Sequence, residues 1–172
     1  MKKILFFLFA LCLTANAQKA TKNQKSMDSN QIKDKLELKE LVDTFSILAD
    51  QKKIKEQVLL FTENAEVVSI MNGKANAPLI GRKNLEAAFS GFLNLFETVY
   101  HLNGQQTVKI NGNSATGTSY CQVTLIGAEN GKKMKTTFGV IYNDSFIKQN
   151  NKWLIEKRTS NFTWQDKQEL GN

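Results

Sequence analysis

The stretch TVYHLNGQQTVKINGNSATGTSY, residues 98–120, decides the fold class predicted for this chain. It is rich in Val, Ile, Thr and Tyr on both sides of the turn-forming cluster NGN at residues 111–113. Two β-prone segments joined by a short turn cluster predict a β-hairpin. The stretch also carries His101, the only histidine among 172 residues. From the residues alone, His101 can be a general base, a ligand contact or an ordinary strand residue.

The same pattern continues towards the C-terminus. Turn clusters AENG at residues 128–131 and QNN at residues 149–151 separate further β-prone segments. Four long strands are therefore predicted, over residues 98–110, 115–127, 133–148 and 153–164. Consecutive strands joined by short turns predict an antiparallel meander.

Upstream of residue 98 the pattern is helical. Ser29 or Asn30 is a plausible N-cap, and apolar residues spaced by three to five positions predict an amphipathic helix that ends near Asp50. A short helix (54–60), a strand (65–70), a loop around the only proline (71–81) and a third helix (84–95) follow. Helices followed by a meander predict an α+β domain whose helices cover one face of a curved sheet.

The first residues have the features of a secretory signal peptide. Lys2 and Lys3 precede an apolar run, and Ala15-Asn16-Ala17 forms a cleavage site after Ala17. We therefore expect an exported protein, periplasmic or secreted, with a signal peptide (1–17), a flexible linker (18–30), one domain (31–165) and a C-terminal tail (166–172). Cleavage leaves Cys121 as the single cysteine, which excludes an intramolecular disulfide.

Composition argues against several classes of function. The net charge of +7 comes mostly from lysines that are not interleaved with aromatic residues, so we expect no nucleic-acid partner. After the leader, no apolar run approaches the ~20 residues of a membrane-spanning helix, so no integral membrane segment is expected. One histidine and one isolated cysteine offer no metal-binding cluster, and no glycine-rich phosphate loop is present. We expect neither a metal nor a cofactor.

Several segments, taken in order, resemble one family. They are FSILADQKK (45–53), LFTENAEV (60–67), LIGRKNLEAAF (79–89), the stretch at 98–120 and NNKWLIEKR (150–158). Together they resemble the SnoaL-like branch of the nuclear transport factor 2-like superfamily, over about residues 31–164. The resemblance implies a cone, in which a bent sheet curls around the helices and leaves an apolar pocket open at one end.

In the dehydratases of this superfamily an aspartate that ends the first helix faces a histidine on the strand after the third helix. The matching residues are Asp50 and His101. A carboxylate that accepts a hydrogen bond from one imidazole nitrogen aims the other nitrogen as a general base. The resemblance therefore implies a cofactor-independent lyase or isomerase, in which His101 removes a proton from a small, mostly apolar molecule and Asp50 orients His101.

Other side chains are candidates for substrate binding. Phe45 occupies a helix position where the dehydratases tend to carry Tyr or Lys, and it cannot donate a proton. Tyr120, Tyr142 and Arg158 are the polar candidates for substrate binding, although Arg158 can equally form an ion pair. Further candidates, which fit a packed core as well as a pocket, are Met71, Phe138, Trp153, Phe162 and Trp164.

Two other classes of function stay open at this point. The domain can bind a ligand or a protein without catalysis, because one fold serves many activities. It can also form a homodimer in which the sheet face is buried against a second copy.

Overall fold

The computed structural model describes residues 29–171. The predicted signal peptide, its cleavage site after Ala17 and the linker as far as residue 28 lie outside the described residues. Helix α1 is Ser29–Asp50, so it contains the last two residues of the predicted linker.

Three helices precede the long strands. Helix α1 presents Leu38, Leu41, Val42 and Phe45 to the core, at the spacing of one helical face. The predicted helix at 54–60 is α-helical only over α2, Ile54–Gln57, and continues as a 3₁₀ turn, Val58–Leu60. Helix α3 is Arg82–Leu93. Within residues 29–171, no helix is both long and apolar enough to cross a membrane.

Seven strands form one sheet. Their bounds are Phe61–Met71 (β1), Lys74–Ala75 (β2), Leu79–Ile80 (β3), Thr98–Asn111 (β4), Ser114–Glu129 (β5), Lys132–Gln149 (β6) and Lys152–Glu169 (β7). The order is β2-β1-β7-β6-β5-β4, with β3 also paired to β1. The four long strands form the predicted antiparallel meander, whereas β1 joins β7 in parallel. The predicted α+β cone, a curled and unclosed sheet around the helices, is confirmed.

Two-residue turns set the register of the meander. Asn130 and Gly131 have φ of 51° and 77°, and Asn150 and Asn151 have φ of 50° and 62°. Two consecutive residues with positive φ give the turn whose twist matches that of paired strands, and Asn and Gly tolerate this conformation best. The clusters found in the sequence therefore fix the hairpins β5–β6 and β6–β7.

Residues 166–169 of the segment expected to be a C-terminal tail (166–172) belong to strand β7. Strand β7 continues to Glu169, which pairs with Met134, and Lys132 Nζ lies 2.7 Å from a Glu169 carboxylate oxygen. Lys167 forms a second ion pair with Glu129. The strand persists because the long hairpin partner β6 continues beside it and supplies hydrogen bonds.

The core lies between the helices and the inner face of the sheet. The Phe45 ring of α1 is edge-on to Phe61, Phe89 and Tyr142, with ring centroids 5.8 to 6.1 Å apart. Alternation along each strand decides which side chains join this core, because neighbouring residues point to opposite faces. Aromatic rings therefore fill the centre of the cone.

Candidate functional site

Asp50 and His101 are in direct contact. Asp50 is the last residue of α1, and His101 lies on the inner face of β4. His101 Nδ1 is 2.6 Å from Asp50 Oδ1, and the His101 backbone N–H donates to Asp50 Oδ2 at 3.2 Å. Both carboxylate oxygens thus hold the same residue. When Nδ1–H donates to a carboxylate, the Nε2 of a neutral imidazole keeps a free lone pair.

The pair is set at the border of the core. The side chain of His101 is 6% exposed and that of Asp50 is 25% exposed. The carboxylate is therefore the member of the pair that reaches solvent, and the imidazole is largely enclosed. An enclosed imidazole oriented by a carboxylate is suited to proton transfer from a bound molecule.

Asn103 holds helix α1 against strand β4. Its side-chain oxygen accepts a hydrogen bond from Ser46 Oγ at 3.0 Å, and its nitrogen donates to Asp43 Oδ1 at 3.0 Å and to the Val42 carbonyl at 3.3 Å. Asn103 lies two residues after His101, hence on the same face of β4. Asn103 was not predicted from the sequence, although its spacing of two residues from His101 indicates a side chain on the same face of the strand.

Arg158 forms a buried ion pair. Its Nε and Nη2 each donate to one oxygen of Asp144 at 2.8 Å, and the two residues are 2% and 4% exposed. Burial by itself lowers the pKa of Arg158, but the neighbouring Asp144 carboxylate raises it, and the net direction is upwards. Of the two roles that the sequence left open for Arg158, the structure shows the ion pair.

Phe45 and Tyr142 enclose this ion pair. The guanidinium carbon of Arg158 lies 4.2 Å from the Phe45 ring centroid and 4.3 Å from that of Tyr142. Burial raises the pKa of Tyr142, and it raises the pKa of the nearby Cys121 thiol to about 12. Phe45, Tyr142 and Arg158 fill the interior, and none of the three lines either of the two cavities described below.

Tyr120, a candidate for substrate binding, lies on the opposite face of the sheet from His101. Tyr120 is 50% exposed and pairs with Ile141 on the outer face of the sheet. Its neighbour Cys121 is the residue that points inwards, opposite Asn103. Alternation along β5 therefore places the Tyr120 phenol on the side away from Asp50 and His101.

Two cavities lie elsewhere on the sheet. The edge cavity, of about 430 Å³, is lined by Met71, Phe138, Phe162 and Trp164 together with Asn72, Gly73, Asn161, Thr163 and Gln165. A second cavity, of about 490 Å³, lies on the outer face and includes Leu102, Tyr120 and Trp164. Neither is lined by Asp50 or His101, so the expectation that both line the pocket is not met by these cavities.

Four of the five aromatic and apolar pocket candidates therefore line a cavity. The fifth, Trp153, does not. Its indole N–H donates to Asp34 Oδ1 at 2.9 Å, and Lys148 Nζ lies 2.5 Å from the same oxygen. Trp153 thus fastens α1 to the β6–β7 hairpin. Within residues 29–171, no three His, Cys, Asp or Glu side chains are grouped so that they could hold a metal ion.

A sequence model of the SnoaL-like domain matches residues 30–159. The chain belongs to the SnoaL-like domain family. The match spans both Asp50 and His101, together with α1 to α3 and most of the sheet. The family predicted from the segments between residues 45 and 158 is confirmed.

Individual relatives of this SnoaL-like chain agree with the family and the fold. An uncharacterized protein of Mycobacterium tuberculosis is 25% identical over 130 residues, which cover 74% of this chain and 84% of that protein. A proposed scytalone dehydratase from Novosphingobium aromaticivorans has a TM-score of 0.72 and 16% identity, covering 84% and 94% of the two chains.

A third relative of the SnoaL-like chain is a type 2 hexachlorocyclohexane dehydrochlorinase. Its structure has a TM-score of 0.69 and 9% identity, covering 85% of this chain and 95% of that one. Identities this low establish the shared fold alone, because one fold supports many chemistries.

Proposed function

We propose that this SnoaL-like domain is exported, binds a small, largely apolar molecule and acts on it as a cofactor-independent lyase or isomerase. His101 is the general base in this proposal, and Asp50 positions it. The observation that supports it is the 2.6 Å contact between Asp50 Oδ1 and His101 Nδ1, reinforced by the backbone contact to Oδ2. The Nδ1 contact favours the tautomer with its proton on Nδ1, and the backbone contact holds the carboxylate in place beside the ring.

The chemistry requires a proton next to an electron-withdrawing group. Nε2 of His101 removes that proton, and the electron pair moves towards a carbonyl or expels a leaving group such as hydroxide. The Asp50 carboxylate stabilises the imidazolium formed in this step. Dehydration and double-bond isomerisation are the reaction types that such a base supports without a cofactor.

Proton exchange tests the proposal without knowledge of the natural substrate. A panel of neutral cyclic ketones and β-hydroxyketones is incubated with the protein in D₂O, and deuterium at the α-carbon is followed by NMR. The variants are His101→Gln and Asp50→Asn, and Glu40→Gln on the same helix is the matched control. His101→Gln is expected to slow exchange by roughly 10²-fold or more, the usual contribution of a general base.

Circular dichroism confirms that each variant is folded before rates are compared. Exchange by His101→Gln at the wild-type rate would contradict the role of His101. The alternative is a binding domain without catalysis, for which any small molecule that copurifies with the protein stabilises His101→Ala as much as the wild type.

A second candidate function is association through the outer face of the sheet. Tyr100, Leu102, Tyr120 and Trp164 are each at least 50% exposed there. Contiguous apolar side chains on a surface are typical of protein interfaces, and a second copy of the chain is the simplest partner. Sedimentation at micromolar concentration tests this: a dimer that Tyr120→Glu converts to monomer supports it, and a wild-type monomer argues against it.

A further inference from the structure

The edge cavity lies where one strand of the sheet ends. Strand β1 stops at Met71, which pairs with Phe162, while β7 runs on to Glu169. Beyond Phe162, β7 pairs only with β6 among the described residues. The β7 backbone therefore has a free edge beside the cavity, and the turn at Asn72 and Gly73 forms the opposite wall.

Aromatic rings form the apolar part of this cavity. Phe138 and Phe162 are edge to face, with centroids 5.3 Å apart and planes at 83°. The Trp164 indole lies directly over Gly139. The approach is so close that a Cβ at position 139 would come within 1.9 Å of Trp164 Nε1. One face of the indole is thus covered by backbone, and Trp164 remains 51% exposed. The exposed part of the indole is a rigid platform for a flat or ring-shaped molecule.

Uncharged polar groups form the rest of the lining. Asn72, Asn161 and Gln165 line the cavity, and their side-chain amides form no hydrogen bond within residues 29–171. Each amide has both a donor and an acceptor. None of the nine lining residues carries a charge. A charged ligand would lose its hydration without gaining an opposite charge, so the lining favours a neutral ligand.

We propose that the edge cavity binds a neutral sugar ring. The apolar face of a pyranose stacks on the Trp164 indole, and its hydroxyl groups, which both donate and accept, pair with the amides of Asn161 and Gln165 and with the free edge of β7. An apolar ring would leave these amides without partners. The volume of about 430 Å³ is within the range of small-molecule sites. The proposal concerns binding at a site that contains neither Asp50 nor His101, so it is independent of the proposed catalysis.

The two tryptophans of the chain provide the readout. Each indole N–H gives one signal in a ¹H–¹⁵N NMR spectrum, and Trp164→Phe identifies that of Trp164. The Trp153 indole is bonded to Asp34 and serves as an internal reference. The probes are methyl glucoside, methyl galactoside and cellobiose, each titrated to roughly 50 mM to detect millimolar binding. Glucuronate and p-cresol are the charged and apolar comparison compounds.

The expected result is a saturable shift of the Trp164 signal with at least one neutral sugar, while the Trp153 signal stays in place. Asn161→Ala and Gln165→Ala each weaken that binding about fivefold, the usual effect of one lost hydrogen bond. Gln122→Ala is the matched control, because Gln122 lines only the cavity on the outer face. The proposal is overturned if no neutral sugar shifts the signal, if glucuronate or p-cresol binds more tightly, or if Gln122→Ala weakens binding as much as Gln165→Ala.

Discussion

Replacing Asp144 by Asn is expected to destabilise the protein strongly. The substitution keeps the shape of the side chain but removes the negative charge beside Arg158. Arg158 is 2% exposed and donates two hydrogen bonds of 2.8 Å to the Asp144 carboxylate. A guanidinium does not lose its proton at any pH that a folded protein tolerates. The variant must therefore bury an uncompensated positive charge.

The contacts set the size of the effect. Each charge-assisted hydrogen bond contributes about 1.5 to 3 kcal/mol, and breaking a buried ion pair on one side costs about 3 to 5 kcal/mol. Because Asn can still accept one hydrogen bond, we expect the free energy of unfolding to fall by about 3 kcal/mol, at the lower end of that range. With a urea m-value of about 2 kcal/mol/M, the unfolding midpoint falls by about 1.5 M.

Equilibrium urea denaturation followed by circular dichroism measures this difference. Glu66→Gln is the matched control, because Glu66 of β1 and Lys157 of β7, the residue next to Arg158, form an ion pair with 3.7 Å separation and 39% and 62% side-chain exposure. An exposed pair contributes less than about 1 kcal/mol. A loss in Asp144→Asn as small as that in Glu66→Gln would refute the argument that Arg158 is a charge excluded from water.

Replacing Asp144 and Arg158 together distinguishes two contributions to the free energy of unfolding, the cost of a buried charge and the loss of side-chain packing. Nη1 of Arg158 is buried and has no hydrogen-bond partner within residues 29–171, so the ion pair is not fully satisfied. Replacing a buried pair by apolar residues of similar volume is often neutral or stabilising. Asp144→Leu combined with Arg158→Met is therefore expected to be more stable than Asp144→Asn. A double variant that is less stable would show that the contacts of the guanidinium with Phe45 and Tyr142 dominate.

Three further substitutions or modifications follow from individual contacts. The hydrogen bond from Lys148 lowers the pKa of Asp34 in the folded protein below its ordinary value of 3.8. The Asp34 carboxylate therefore stabilises the fold above pH 3.8, and this stabilisation is lost as the pH falls through the lower folded pKa. Asp34→Asn should make the free energy of unfolding fall less steeply with decreasing pH, as measured by urea denaturation at a series of acid pH values. Gly139→Ala should displace the Trp164 indole and red-shift its fluorescence, and an unchanged spectrum would contradict the close approach. The full chain has a second cysteine, Cys12, within the predicted signal peptide. In a variant with Cys12 replaced by Ser, the Cys121 thiol, with a pKa of about 12, is about one ten-thousandth thiolate at pH 8 and should react with a thiol reagent only in urea.

The local parts of the fold could be predicted from the sequence. The four long strands and their turns were predicted to within a few residues, because Asn and Gly clusters specify two-residue turns directly. The parallel pairing of β1 with β7 was not predicted, because it joins residues about ninety positions apart and leaves no local pattern. The strand at 166–169 was missed for a related reason, since its polar residues are strand only because β6 lies beside them.

The candidate site was predicted unevenly. The resemblance selected Asp50 and His101, which the structure brings together. Tyr120, a candidate taken from the strand residues themselves, lies on the other face. Which face a residue occupies depends on the register between strands, and a shift of one residue reverses it. Asp144 was overlooked, although Tyr142, Asp144 and Phe146 alternate along one strand. An acidic residue at a core-facing position predicts a buried cationic partner.

The filled interior determines where a substrate of His101 would have to lie. Phe45 and Tyr142 enclose Arg158 at the centre of the cone, and the ring of Phe45 also contacts Phe61. A molecule bound there would have to displace an aromatic ring or separate a buried ion pair, and either change costs several kcal/mol. The Asp50 carboxylate, by contrast, is 25% exposed. If His101 is the base, a substrate that approaches past the end of α1 displaces neither an aromatic ring nor the buried ion pair. The residues that follow Asp50 would then contact the substrate, and they are the first candidates for determining its specificity.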